Sequence, residues 1–76
     1  MKYIQLILDN STLRFEQATS IYKIRNLIIV EYINEENIEV AQAVESDKVS
    51  KIFVGGRRYF KEKIIDRENP EVFPEE

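Results

Sequence analysis

In KYIQLIL, residues 2–8, the side chains alternate along an extended chain, with Ile4, Leu6 and Leu8 on one face and Tyr3, Gln5 and Ile7 on the other. A period of two buries one face of a strand and scatters apolar groups around a helix, so the segment predicts a strand. LDNST then supplies turn residues, and in TLRFE the pair Leu13 and Phe15 opposes Arg14 and Glu16, which makes a hairpin. TSIYKIR, residues 19–25, alternates again, and Asn26 turns the chain into LIIVEYI, residues 27–33. That run is apolar on both faces, as expected of a central strand with the core on one side and a neighbouring sheet or subunit on the other. NEEN, residues 34–37, is a polar turn into IEVAQAV, where Ile38, Val40 and Val44 oppose Glu39, Ala41 and Ala43.

The apolar residues agree with this reading: eleven isoleucines and six valines stand against four leucines and three alanines, a stock suited to strands. Four or five strands joined by short turns, with no helix to cross between parallel strands, predict a mainly β fold. The expected form is an antiparallel meander curled into a small open barrel, SH3-like or Sm-like in architecture. ESDKVSKIFVGG admits two readings. Val49, Ile52 and Phe53 have helical spacing, with Asp47 as N-cap and Gly55 as stop. Alternatively, residues 49–54 form a strand, Gly55-Gly56 a two-residue turn and residues 57–65 the returning strand, with Phe53 opposite Arg58 and near Phe60. The hairpin is preferred.

Beyond Ile65 the composition changes, and DRENPEVFPEE divides the chain into a β-rich domain, residues 1–65, and an acidic tail expected to be disordered, residues 66–76. The tail has five acids and one base, so the domain, with ten bases and nine acids, carries a charge of +1. Phe73, flanked by prolines, suits a short docking segment.

A chain of 76 residues has room for one core, and such a core often supplies only about 3–5 kcal/mol. With no cysteine and no histidine, neither disulfide nor zinc supports it, so a homo-oligomer is expected. The missing cysteines, the lack of a signal-like N-terminus and the lack of a long apolar run point to a cytoplasmic location off the membrane.

The densest basic cluster follows the glycines in VGGRRYFKEK, where Arg57, Arg58, Lys61 and Lys63 face Glu62. Gly55 and Gly56 free backbone N–H groups, the arginines offer forks, and Tyr59 offers a ring, the ingredients of a site for a nucleotide or single-stranded nucleic acid. The spacing matches no phosphate-binding fingerprint, and paired glycines commonly turn one strand into the next. Arg57, Arg58, Tyr59, Lys61 and Phe73 are the candidate ligand- or partner-binding residues. Catalysis lacks its usual carriers: Glu35 with Glu36 and Glu39 with Glu45 read as solvated charge, and Ser11, Ser20, Ser46 and Ser50 have no evident base. No catalytic residue, metal or cofactor is expected. Tyr3, Tyr22, Tyr32 and Tyr59 suit an interaction surface. The leading expectation is a small non-catalytic interaction protein that self-associates and binds or inhibits a protein partner. In composition it is similar to small acidic cytoplasmic proteins of phages and mobile elements. The alternative is a binder of a phosphate-bearing ligand through the Gly-Gly-Arg-Arg-Tyr hairpin.

Overall fold

The computed structural model describes residues 2–66. Six antiparallel strands form one sheet: β1 (Lys2–Leu8), β2 (Thr12–Ile24), β3 (Leu27–Ile33), β4 (Glu39–Glu45), β5 (Val49–Val54) and β6 (Arg57–Tyr59), with single 3-10 turns at Ser46–Lys48 and Lys61–Lys63. Their spatial order is β4-β3-β2-β1-β5-β6, so the first four strands are the expected meander and β5 crosses back to lie on the far side of β1. The sheet is curled but not closed. Among the described residues no helix is long and apolar enough to cross a membrane.

The bend lies in β2. Lys2 faces Ala18 while Ile4 faces Phe15, and Ala18 faces Tyr32 while Ser20 faces Glu31, so β2 holds one extra residue in each interval. Two bulges close together sharpen twist and bend a strand, and Gln17 accommodates the first at a φ of 55°. The half of β2 before the bulges pairs with β1, and the half after pairs with β3. Residues 12–16 and 19–25, which alternate as if they were separate strands, therefore belong to one bent strand that ends at Ile24. Each bulge shifts the alternation by one residue, which keeps Leu13, Phe15, Ala18 and Ile21 all turned towards the core.

Glu31 fastens the bend. Ser20 Oγ donates to its Oε1 at 2.7 Å, Tyr22 OH donates to its Oε2 at 2.8 Å, and Thr19 Oγ1 donates to its backbone carbonyl at 3.1 Å. A charged acceptor strengthens such bonds.

The curl lays β1 and β5 against β3. Ile4, Leu6, Phe15, Ile28, Val30, Val49, Ile52 and Ile64 make one buried cluster, and the Phe15 and Tyr32 rings meet at 5.1 Å between centroids. Fully burying each aliphatic side chain contributes about 1.5–3 kcal/mol. β3 lies beside the edge strand and not at the centre of the sheet. On its second apolar face Ile29, between Tyr22 and Ala43, is buried within the chain, whereas Leu27 is exposed.

Turn chemistry matches the polar stretches. Asn34 Oδ1 accepts from the N–H groups of Glu36 and Ile38, and Asn37 takes a positive φ that asparagine tolerates. Ile38, expected on the buried side of β4, precedes that strand and is 52% exposed. The 3-10 turn at Ser46–Lys48 carries the chain from β4 to β5; it is preceded by Glu45, so Asp47 lies inside it and does not cap it. Buried Ser46 ties this crossing down: its N–H donates to the Asn26 carbonyl at 2.8 Å and its carbonyl accepts from Lys61 Nζ at 2.9 Å. The strand expected over residues 57–65 stops at Tyr59, and the 3-10 turn that follows delivers Ile64 into the core. Lys23 N–H donates to the Ile65 carbonyl at 2.9 Å, and Asp66 forms a parallel bridge with Lys23, fixing this segment on the side of β2 away from β3.

Replacing Glu31 by alanine leaves the Ser20 and Tyr22 hydroxyls without their carboxylate and is expected to destabilise the fold by about 1–3 kcal/mol. The exposed Glu39→Ala is expected to change stability by about 0.5 kcal/mol or less. Urea unfolding of the two variants checks the contrast.

Candidate functional site

Val54 faces Arg57 across a two-residue turn, and Gly55 and Gly56 take φ of 59° and 86°, the signs of a type I′ turn. The Gly55 N–H donates to the Tyr3 carbonyl at 2.8 Å. The glycines therefore join β5 to β6, and that N–H serves the sheet.

The basic residues after the turn diverge. Arg57 and Arg58 are exposed on the edge strand β6, on opposite faces of it. Tyr59, opposite Ile52, is half-buried against the core and borders a cleft on the side away from Arg58. Lys61 is engaged with the Ser46 carbonyl. Phe73 lies outside the described residues. Glu35, Glu36, Glu39 and Glu45 are exposed, in a turn and at the two ends of β4. Of the serines, Ser20 hydrogen-bonds Glu31 and Ser50 donates to the Ile7 carbonyl.

The sheet gathers a different set of residues on its outer face. Arg14, Gln5, Phe53 and Arg58 stand side by side on β2, β1, β5 and β6, each the cross-strand partner of the next. Their chain neighbours Phe15, Ile4, Leu6 and Ile52 are buried, so this row faces solvent. Ile7 and Lys51 pair in the parallel row beside it. Two guanidiniums lie on rings: Arg14 Cζ is 3.7 Å from the Tyr3 centroid and Arg58 Cζ is 4.8 Å from that of Phe60. Phe60 is 51% exposed. Arg14 Nε also donates to Glu16, and this bond is the chief cause of a guanidinium pKa held above its ordinary value. Phe60 follows the hairpin in sequence and its outward position could be foreseen. The placement of Tyr3 and Arg14 on the same face could not, because it depends on β5 pairing with β1.

Two clefts adjoin the sheet. The larger, about 510 Å³, lies between β2 and the β3–β4 turn, lined by Leu13, Phe15 and Tyr32, with Glu16, Glu35 and Glu36 against Arg14 at its rim. This excess of carboxylates disfavours an anionic ligand there. The smaller, about 270 Å³, is the gap between the bend of β2 and the β5–β6 hairpin, floored by Ile4, Ala18 and Val54.

Charge is also segregated. Residues 31–47 hold six acids and no base, whereas residues 48–65 hold six bases and one acid. The first run contains β4 and the second contains β6, which are the two opposite edges of the sheet. No protein-family model, curated protein or solved structure matches the chain.

The turn generates a graded prediction. Alanine at Gly55 or Gly56 places a β-carbon at positive φ, costing about 1 kcal/mol. At Gly56 that carbon also comes within 3.3 Å of the Tyr3 hydroxyl. Gly56→Ala is expected to destabilise more than Gly55→Ala, and replacing Arg57 and Arg58 together by serine less than either. Thermal unfolding monitored by circular dichroism gives the ranking.

Proposed function

We propose that this chain is a non-catalytic interaction protein that assembles head to tail with copies of itself and engages a macromolecular partner. The observation that carries the reading is the opposite charge of the two sheet edges. An edge strand exposes unpaired N–H and C=O groups, and proteins blunt such edges with charge, bulges or short length. β4 is seven residues long, pairs with β3 without a register shift, and carries Ala41, Gln42 and Ala43 at its middle. Its charges, Glu39 and Glu45, stand at its ends.

Three edge pairings are conceivable between copies. Joining two β4 strands sets the acidic runs against each other, and joining two β6 strands sets Arg57 and Arg58 against the same residues. Like charges directly opposed are destabilising. Joining β4 to β6 sets acid against base. Such a contact uses different surfaces on the two copies, so it closes into a ring or continues as a filament. β6 offers only three residues to the ladder, so the contact is weak and depends on charge. Exposed Ile24 and Leu27, at 39% and 37%, lie together across the β2–β3 turn and remain as apolar surface near β4.

Reversing charge on one edge tests this arrangement. Glu39→Lys with Glu45→Lys, or Arg57→Glu with Arg58→Glu, is expected to give monomers by light scattering, whereas an equimolar mixture of the two variants reassembles. Salt at about 1 M, where the screening length falls to about 3 Å, is expected to dissociate the wild-type protein. A wild-type protein that is monomeric at low salt and high micromolar concentration contradicts the assembly, as does a two-fold dimer indifferent to both pairs of substitutions.

A further inference from the structure

We propose that the outer face of β2, β1, β5 and β6 binds single-stranded nucleic acid, with bases stacking on Tyr3, Phe53 and Phe60 and phosphates meeting Arg14, Lys51 and Arg58. The inference rests on the reading of the chain as a binding module, and it does not require head-to-tail assembly.

Neighbouring strands lie about 4.8 Å apart, so the row Arg14–Gln5–Phe53–Arg58 spans roughly 14 Å across the sheet as cation, amide, ring and cation. Lys51 extends the positive charge along β5, beside Ile7. A polyanion whose repeating unit also carries a flat ring matches this alternation, since each unit brings one charge for a guanidinium or ammonium and one π-face for an aromatic side chain. The guanidiniums of Arg14 and Arg58 are already held against rings at 3.7 Å and 4.8 Å, so each contact is pre-organised and less side-chain freedom is lost on binding. Glu16 occupies Nε of Arg14 and is, among the described residues, the carboxylate bonded to this set.

The geometry favours a single strand over a duplex. Base stacking on side chains needs splayed, unpaired bases, whereas a duplex presents its base edges inside grooves that admit a helix or a β-ribbon. The outer row is a broad sheet face, and the described residues contain no helix longer than one 3-10 turn to enter a groove. A free nucleotide is disfavoured because the larger cleft, which Arg14 borders, is rimmed by Glu16, Glu35 and Glu36, whereas the outer face offers successive contacts suited to a polymer. An acidic peptide would satisfy the cations and leave the rings without stacking partners.

Fluorescence anisotropy with labelled poly(U) and poly(dT) oligonucleotides tests the proposal, with the same sequence as a duplex and polyglutamate of matched charge as competitors. Binding is expected to weaken with salt with a logarithmic slope of about −2, as three phosphate contacts on a single strand require. Phe60→Ala is expected to weaken it about tenfold by removing a stack, and Lys51→Gln to weaken it and flatten the slope. Both residues are away from the core, so circular dichroism should show both variants folded. Duplex and polyglutamate should displace the probe only at concentrations about tenfold higher than unlabelled single strand. No binding at low salt, unchanged affinity in Phe60→Ala, or equal displacement by duplex or polyglutamate overturns the proposal. Comparison of the RNA and DNA probes identifies which strand is preferred. Light scattering on the same samples separates the two readings: monomers that bind the oligonucleotide remove the assembly alone, and assemblies that do not bind it remove this inference alone.

Discussion

The double bulge in β2 turns a flat meander into a curled sheet with a core of its own. Without the extra residues between Phe15 and Ser20, a thirteen-residue strand would pair along its length in one plane, and Ile28 and Val30 on β3 would face water and not Ile4, Leu6 and Ile52. Bending the strand converts a meander with one apolar face into a curled sheet that covers that face with its own far half. Bulged residues lose ladder bonds, and the Glu31 carboxylate compensates by holding Ser20 and Tyr22 on the strand just beyond the bend. In a domain whose core supplies only a few kcal/mol, a charged clamp beside this bend helps to hold the curl.

The same bend determines where the chemistry falls. Because the sheet stays open, it retains two edges, and the chain order assigns the acidic run to one and the basic run to the other. Because β5 crosses through the 3-10 turn to pair with β1, residues distant in sequence, Arg14 and Arg58 among them, come to lie on one surface. In the proposed reading, edge charge serves self-recognition and face composition serves partner recognition, and β6 contributes to both.

Much of the fold could be read from side-chain alternation. The strands over residues 2–8 and 27–33, the NEEN turn and the Gly-Gly hairpin all follow from periods and turn residues that act over a few positions. The bend in β2 could not, because its bulges are built from Gln17 and Thr19, with no glycine or proline to mark them, and two successive shifts of phase restore the original alternation. The end of β6 at Tyr59 was hidden for a similar reason: Phe60 to Ile65 still alternates in part, yet Ile64 gains more by entering the core than by extending an edge strand. For the candidate site, Arg58, Phe53 and Phe60 were legible as neighbours across one hairpin. Arg14 and Tyr3 join them only through a crossover whose destination is a tertiary fact. The split between an acidic stretch and a basic stretch was present in the sequence, but its meaning depends on which strands become edges.

Copies of this chain that meet through β4 of one and β6 of the next are detectable by paramagnetic broadening in solution. The chain has no cysteine, so Ala43→Cys carries a single spin label on the outer face of β4 and leaves β6 intact. Mixed at low salt with isotope-labelled, unmodified protein, the labelled chain should broaden the amide signals of Arg57, Arg58 and Tyr59 and spare those of residues 39–45. Broadening confined to residues 39–45, or none at all, would rule out a contact between β4 and β6.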